Sequence, residues 1–421
     1  MPWLLATFGL ACCLGAILSI APPRWPGVAT LAAWPIAWLT SELPLHFLAL
    51  ELGLTTALVL AGGLAAWPGW VGLGAVGAAV IVLRYHLILA AGTTAAVERG
   101  LAATLGRDYH DHIAPDLRAA YDPTTPWRTI AVPWTRLPPG VERQADVVYG
   151  EHRRHRLDIY RPREATGPRP VLLYVHGGGW VVGDKRQQGR LTVHELARAG
   201  WVCVSINYRL SPRATFPDHL IDVKRALAWV RDHIGDHGGD PRFVVIAGGS
   251  AGAHLATLAA VTAGDPRYQP GFEDADTSVA GCVAYYGVFD FTDGHRAYRH
   301  RAFRELLLAR LVMKRPLADH AAYAAASPTV RVADPGAPRP PMLVIHGQAD
   351  CLVPVAMARQ FVTTARAAGA EVAAIELPGA HHAFEIFPSL RSVAVVHGVH
   401  RFCQAIYSRW RASHAPPERA A

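Results

Sequence analysis

Ser250 lies in a stretch whose composition suits a serine nucleophile. The stretch AGGSAGAHL, residues 247–255, follows the apolar, β-branched run FVVIA and leads into the helical pattern AHLATLAAV. A serine at a sharp strand-to-helix turn needs small neighbours, here Gly248 and Gly252, if its hydroxyl is to project above a sheet. Glycines alone would be explained by a tight turn. The strand and the helix around them therefore carry the prediction that Ser250 acts as a nucleophile.

A serine hydroxyl needs a neighbouring base, and that base needs a carboxylate that orients it. Asp350 follows the apolar run PMLVIHG, and the pair His381 and His382 follows the next run, VAAIELPG. The chain order serine, acid, histidine, each after a later strand, is typical of one class of hydrolytic site. His382 is favoured over His381 as the base because it occupies an H-x-F position before Phe384. The competing interpretation of Asp350 is a surface turn residue.

The run VLLYVHGGGW, residues 171–180, contains three glycines whose backbone amides can act as donors. Because glycine has no Cβ, such amides can approach a negatively charged oxygen closely. Positioned donors stabilise the oxyanion of an acyl-transfer intermediate by roughly 3 to 4 kcal/mol each. The amide of Ala251, at the predicted helix start, is expected to join them. A phosphate cradle is a weaker interpretation, because the HGGGW stretch fits neither GxxxxGKS/T nor GxGxxG.

From residue 145 onwards, short β-branched runs alternate with helical patterns. DVVYG and HRLDIYRP predict a leading antiparallel pair, and the later runs predict parallel strands because helical patterns separate them. The predicted fold class is α/β, with a mostly parallel central sheet flanked by helices in a domain of residues 141–413 and a short tail of residues 414–421. Ligands of such sheets bind beyond the carboxyl ends of the strands, where Ser250, Asp350 and His382 fall.

The first 92 residues differ sharply from the rest, because only four charged side chains occur there: Arg24, Glu42, Glu51 and Arg84. An α-helical transmembrane region of three or four spans is predicted from four apolar runs: residues 3–21, 28–40, 45–67 and 71–92. The second run is short for a span, and whether it crosses decides which side of the membrane receives the rest of the chain. A cleaved signal peptide is the competing interpretation of the first run, but no basic residue precedes it and further apolar runs follow.

The net charge of +8 and the pI near 9.3 raise the question of nucleic-acid binding. No nucleic-acid partner is predicted, because the arginines are scattered and no zinc-finger, basic-zipper or RNA-binding signature occurs. Attraction to anionic lipid headgroups explains the charge better. The six cysteines lack CxxC spacing, so neither a metal site nor a cofactor is predicted.

Six stretches together resemble the hormone-sensitive-lipase-like branch of the α/β-hydrolases: HGGGW (176–180), NYRLSPRATFPDHLIDVKRALAWV (207–230), GGDP (238–241), GGSAGAHLA (248–256), HGQADCLVP (346–354) and HHAF (381–384). The resemblance covers roughly residues 145–410. With its apolar N-terminal part, the chain is also similar to membrane-associated carboxylesterases and lipases of mycobacteria and related actinobacteria. It further resembles the isoprenylcysteine methylesterases, which share membrane spans and a comparable catalytic domain.

The resemblance implies a role for each candidate residue. Ser250 would be the nucleophile, His382 the general base and acid, and Asp350 the residue that orients His382. The oxyanion hole would be formed by the backbone amides of three residues, with Gly177 as a substitute and His176 bracing the loop: Gly178, Gly179 and Ala251. In this family the N-terminal part and an insertion before the aspartate strand often cap the pocket. Here they correspond to residues 93–140, a juxtamembrane linker, and to residues 290–320.

The implied function is a membrane-anchored serine carboxylester hydrolase that acts on acyl or lipid-like esters through an acyl-enzyme. Its partners would be the ester substrate and the lipids of a cell membrane that the chain crosses several times. An amidase or formamidase, or a prenylcysteine methylesterase, would use the same triad. Outside enzymes, the alternative is a ligand-binding protein that keeps the fold without catalysis. The side of the membrane, the acyl and alcohol groups and the oligomeric state stay open.

Overall fold

The computed structural model describes residues 1–23, 28–122, 124, 126–134, 136–164, 167–294, 296–298 and 304–414. Residues 415–421 of the predicted tail, and residues 295 and 299–303 of the predicted cap, lie outside these ranges. The helices are α1 Pro2–Ile20, α2 Val28–Glu42, α3 Pro44–Leu58, α4 Trp67–Ala91, α5 Thr93–Leu105, α6 Pro115–Ala119, α7 Trp127–Ala131, α8 Arg190–Arg198, α9 Asp218–His233, α10 Ala251–Val261, α11 His320–Ala325, α12 Pro328–Arg331, α13 Val355–Ala367 and α14 Leu390–Ser413. Two short 3₁₀ segments and two π-helical segments accompany them: Ile234–His237, Pro266–Tyr268, Val59–Gly63 and Arg304–Met313. The strands are β1 Val141–Val148, β2 Arg156–Pro162, β3 Arg169–Val175, β4 Val202–Ile206, β5 Gly239–Gly249, β6 Gly281–Tyr285, β7 Met342–Gly347 and β8 Val372–Leu377.

Among the described residues, three helices are long and apolar enough to cross a membrane, judged on length and composition: Pro2–Ile20, Pro44–Gly63 and Trp67–Leu105. α1 and α4 run parallel. At one end the rings of Trp3 and Trp67 lie 5.7 Å apart, and at the other the hydroxyl of Ser19 lies 2.8 Å from Nε2 of His86. α3 leads into α4 through a short turn, so it runs the opposite way.

α2, which corresponds to the second apolar run, is not one of these three helices. It has 15 residues and contains Pro35. Its side chains Trp34 and Trp38 reach the α/β domain, where each indole donates a hydrogen bond to a backbone carbonyl. These contacts join α2 to the α/β domain.

The central sheet has eight strands in the order β1-β2-β4-β3-β5-β6-β7-β8. β2 pairs antiparallel with both β1 and β4, and the other neighbouring strands pair in parallel. In the β3–β5 pair Val175 lies beside Gly248, so the loops that follow these two strands leave the sheet next to each other. The sheet and its helices confirm the predicted α/β-hydrolase fold class.

Successive side chains of β3 enter two different cores, as expected for a strand that is covered on both faces. Leu173 and Val175 belong to one core, together with α9, α10 and α13. Leu172 and Tyr174 belong to the other, with α5, α8 and α14. α5 continues α4 in one 39-residue helix and donates from Thr104 Oγ1 to the carbonyl of Val372 in β8, at 3.1 Å. The apolar N-terminal region and the α/β domain therefore share a helix.

Candidate active site

Ser250 occupies a strained turn between β5 and α10. Its φ is +56° and its ψ −120°, a backbone conformation that residues other than glycine rarely adopt. The turn brings α10 against the end of β3, and a Cβ built on Gly252 would lie 2.1 Å from the carbonyl oxygen of Val175. A Cβ on Gly248 would lie 2.5 Å from the backbone of Gly252. Glycine is required at both positions because the backbone of another residue lies where a Cβ would be. The strand β5, the turn at Ser250 and the helix α10 confirm the predicted strand–turn–helix context.

The structure brings Ser250, His382 and Asp350 into one hydrogen-bonded chain. Nε2 of His382 lies 2.8 Å from Oγ of Ser250, and Nδ1 lies 2.7 Å from Oδ2 of Asp350. Because an ionised carboxylate only accepts hydrogen bonds, Nδ1 carries the proton and Nε2 is left to accept from the serine hydroxyl. In this tautomer the imidazole can take up the proton of Ser250.

The environment of Asp350 keeps its carboxyl group ionised. Burial raises its pKa, but the imidazoles of His382 and His346 more than offset this, and the pKa lies well below its usual value. The backbone amides of Leu352 and Val353 also donate to Oδ1, at 2.9 and 2.8 Å. Asp350 is thus a fixed negative charge behind the imidazole at neutral pH.

The two neighbouring histidines point in different directions. His382 faces Ser250, whereas Nε2 of His381 donates to the carbonyl oxygen of Ser19 at the end of α1, at 2.8 Å. His381 is fully buried at this contact. The geometry separates the two candidates that the sequence left in competition.

The glycine loop after β3 lies against Ser250. A Cβ built on Gly177 would lie 3.1 Å from Cβ of Ser250. The amide of Gly177 is already bonded to Oε1 of Gln188 at 2.7 Å, which removes Gly177 as the substitute donor. Gly178 and Gly179 have φ values of +107° and +59°, which turn the loop at this point. Ala251 is the first residue of α10, where a helix leaves its amides without helical acceptors.

His176 braces the glycine loop, as its family resemblance implies. Its buried ring donates from Nδ1 to the carbonyl of Gly177 at 2.7 Å and stacks on Tyr208, with ring centroids 4.5 Å apart. Burial lowers the pKa of His176 to about 4, so the ring is neutral.

Tyr286 and Glu385 also contact this site, although the sequence did not single them out. The ring of Tyr286 lies 4.5 Å from that of His382, and its hydroxyl donates to Oε2 of Glu385. The hydroxyl of Tyr174 donates to the other carboxyl oxygen at 3.4 Å. Tyr286 directly follows β6 at the catalytic edge, and that position was a signal in the sequence. Glu385 had no such signal, because only the fold brings it between two tyrosines.

The surroundings of the glycine loop are apolar. Leu307, in the π-helical segment of the predicted cap, lies 3.7 Å from the position of a Cβ on Gly179. Nearby, Val182 is 63% exposed and Leu306 52% exposed. The ring of Trp34 lies beside the ring of His382, with centroids 6.4 Å apart. Within the described ranges, no group of three or more His, Cys, Asp or Glu side chains could hold a metal ion.

Comparisons with known proteins show which family this chain resembles. A family model described as BD-FAE matches residues 157–364. The probable carboxylic ester hydrolase LipM of Mycobacterium tuberculosis is 40% identical over 409 residues, which cover 93% of this chain and 90% of that protein. The isoprenylcysteine alpha-carbonyl methylesterase ICME of Arabidopsis thaliana is 29% identical over 241 residues, covering 56% of this chain and 55% of that protein. The crystal structure of Esterase B from Lactobacillus Rhamnosis has a TM-score of 0.56 and 20% identity, covering 75% of this chain and 98% of that chain, and shares the fold. These similarities confirm the family resemblance of the sequence motifs.

Proposed function

Because the chain belongs to the same family of carboxylic ester hydrolases as LipM, we propose that Ser250, His382 and Asp350 form its catalytic triad. We propose further that the enzyme is anchored in a membrane and cleaves acyl or lipid-like esters there. The observation that supports the triad most directly is the continuous hydrogen-bonded chain from the serine hydroxyl through the imidazole to the buried carboxylate.

Acylation begins when Oγ of Ser250 attacks the carbonyl carbon of the ester and Nε2 of His382 takes the hydroxyl proton. The carbonyl oxygen becomes an oxyanion and accepts hydrogen bonds from the amides of Gly178, Gly179 and Ala251. When the tetrahedral intermediate collapses, the carbon–oxygen bond to the alcohol breaks and His382 protonates the leaving alcohol. The acyl group stays on Ser250 as an ester.

Deacylation repeats these steps with water. His382 takes a proton from a water molecule, whose oxygen attacks the acyl carbonyl, and then returns that proton to Oγ of Ser250 as the acid leaves. Asp350 stays ionised throughout and stabilises the imidazolium form of His382. Loss of one oxyanion donor in such a site costs about 10²-fold to 10³-fold in kcat.

Membrane anchoring is supported by the N-terminal helices and by the way they are attached. Three helices have the length and apolar composition of spans, and the last of them continues as α5 into the α/β domain. The domain is therefore held close to the end of the bundle where α4 finishes. The apolar side chains at the glycine loop, Val182 and Leu307, suit an ester with an acyl chain.

A fluorophosphonate probe tests the proposed nucleophile on the full-length, detergent-solubilised chain. Peptide mapping is expected to place the label on Ser250, and Ser250→Ala is expected to lose both labelling and hydrolysis of p-nitrophenyl butyrate. Ser413→Ala, at the exposed end of α14, is the matched control and should label like the wild type. Labelling of another residue, or hydrolysis that survives in Ser250→Ala, would overturn the assignment.

The reaction class is tested with matched substrates. The p-nitrophenyl ester and the corresponding anilide differ only in the atom that leaves, so their relative kcat/KM separates an esterase from an amidase. We expect the ester to be preferred strongly. Preference for the anilide would show that the same triad serves an amidase.

A further inference from the structure

The N-terminal helices contact the catalytic domain at the loop that carries His382. This loop, residues 378–389, joins β8 to α14 and is called here the histidine loop. We propose that α2 holds the histidine loop in its catalytic geometry, so that Trp34 and Trp38 are positioning residues for the base. The inference rests on the proposed triad, because it assigns Trp34 and Trp38 a role only if His382 is the base.

Two tryptophans of α2 donate hydrogen bonds to two consecutive backbone carbonyls of the histidine loop. Nε1 of Trp34 donates to the carbonyl oxygen of His382 at 3.3 Å, and Nε1 of Trp38 donates to that of Ala383 at 3.0 Å. The two indoles lie one helical turn apart and stack on each other, with centroids 5.2 Å apart and planes 9° apart. They therefore act as one rigid unit against consecutive carbonyls.

The backbone that these indoles hold is strained. Ala383 has a φ of +67°, in the left-handed region. For a residue other than glycine, this conformation raises the energy by about 1 kcal/mol or more. Such a conformation persists only where its surroundings determine it. An indole has a single N–H donor and no acceptor, so each tryptophan can make this one directed bond to the loop.

A second set of contacts fixes the far end of the histidine loop to the same helix. Trp38 stacks on Phe387, with ring centroids 5.1 Å apart. Glu42, the last residue of α2, pairs with Arg391 at the start of α14, at 3.1 Å, and both side chains are 1% exposed. α2 thus contacts the middle of the histidine loop through its tryptophans and the residues just beyond the loop through Glu42.

α1 also contacts the histidine loop, at the residue before His382. His381, which precedes the catalytic histidine, donates to the carbonyl of Ser19, and the hydroxyl of Ser19 is bonded in turn to His86 of α4. His382 therefore lies between one residue anchored on α1 and another anchored on α2. The position of its imidazole depends on the apolar region as well as on the sheet.

Small displacements of this loop would be costly for catalysis. His382 must lie within hydrogen-bond distance of both Ser250 and Asp350, and a misplacement of about 1 Å can cost 10²-fold in rate. Ser250 directly follows β5 and Asp350 follows β7 after two residues, whereas His382 lies further from its strand, β8, in a loop that α2 contacts. Loosening these contacts should lower kcat and leave the binding of a small ester almost unchanged.

The test replaces each indole by a ring without the N–H donor in the full-length protein. Trp38→Phe, Trp34→Phe and the double variant are compared with the wild type in kcat and KM for p-nitrophenyl butyrate, in the rate of fluorophosphonate labelling, and in melting temperature. We expect kcat and the labelling rate of the double variant to fall about 10-fold to 100-fold, with KM within about 2-fold. Trp67→Phe, on the exposed far end of α4, should behave like the wild type.

The outcomes separate this inference from the proposed function. If the variants fold and keep wild-type kcat and labelling while Ser250→Ala is inactive, the triad stands and the positioning role is wrong. If Ser250→Ala stays active, the triad itself is wrong. A lower melting temperature with an unchanged kcat would assign the tryptophans to stability alone and would also overturn the inference. Should Trp38→Phe fail to fold, Trp34→Phe, which removes the longer bond, supplies the same comparison.

Discussion

Tyr286 donates a hydrogen bond to Glu385 directly beside the ring of His382. Glu385 is fully buried, and burial raises its pKa although the hydroxyls of Tyr286 and Tyr174 lower it in part. A buried carboxyl group that accepts from two tyrosines is satisfied without a cation. Tyr286 and Trp34 of α2 both contact the ring of His382, with centroids 4.5 and 6.4 Å away.

Glu385→Gln is expected to be tolerated, because an amide keeps an acceptor for the tyrosine hydroxyls and carries no charge. Glu385→Leu removes the acceptors and leaves two buried hydroxyls unpaired, which should cost about 2 to 5 kcal/mol of unfolding free energy. Denaturant unfolding of both variants measures the difference, and kcat should follow the same order. If glutamine is as damaging as leucine, the site needs the negative charge and not merely an acceptor.

Gly252→Ala should abolish activity, because its Cβ would lie 2.1 Å from the carbonyl oxygen of Val175 and would push α10 away from β3. Such a shift moves the amide of Ala251 and the hydroxyl of Ser250 together. Gly235→Ala is the matched control, since a Cβ there meets nothing within 4 Å. The measurement is fluorophosphonate labelling of folded protein, and normal labelling of Gly252→Ala would contradict the close-packed turn.

Asp350→Asn tests the tautomer of His382. An asparagine can present its amide N–H to Nδ1, which would shift the imidazole proton to Nε2 and remove the acceptor for Ser250. A loss of about 10⁴-fold in kcat is expected from the wrong tautomer. Because the pKa of Asp350 lies well below its usual value, its charge persists to low pH and the acid side of the activity profile should not report its protonation. An Asn variant with near-normal kcat would remove Asp350 from the triad.

His254 links acid pH to loss of stability. Its Nδ1 accepts from Nε1 of Trp180 at 3.2 Å and its Nε2 donates to the carbonyl of Ala326 at 2.7 Å, so the ring is neutral and enclosed. Burial lowers the pKa of His254 to about 3 and that of His219 to about 4. Below pH 6.5 the unfolded chain binds these protons and the folded chain does not, so stability falls as pH falls towards 4.

Each such histidine adds about 1.4 kcal/mol per pH unit to the slope of unfolding free energy in this window. His254→Gln, which can still accept and donate but does not titrate, should remove that share of the slope between pH 4.5 and 6. Equal slopes for the wild type and His254→Gln would show that His254 is not held neutral.

The sequence was sufficient to predict which residues the fold brings together at the site when their position follows from the local pattern. Ser250, Asp350 and His382 follow strands whose apolar runs are unmistakable, and glycines mark the turn at the first of them. Glu385 could not be predicted because only tertiary packing brings it to the site, whereas Tyr286 had a signal in its position directly after β6. The sequence also left open whether α2 is a span, and its tryptophans contact the α/β domain. Hydropathy measures what a helix could bury, and it does not say whether lipid or protein covers it.

The placement of α2 leads to a prediction for the topology of the chain. With three spans, the N-terminus and the α/β domain lie on opposite sides of the membrane. The turn of residues 59–66 and the start of α1 then share the far side, where the turn carries no basic residue. On the domain side, Arg99 lies near the end of the last of the three helices and Arg107 follows it. Positively charged flanks stay in the cytoplasm, so the domain is expected there.

In intact spheroplasts, added protease should remove a tag placed before Met1 and spare one after Ala421, and both should be digested once detergent opens the membrane. Equal digestion of the two tags in intact spheroplasts would mean that the number of crossings is even and that α2 also crosses.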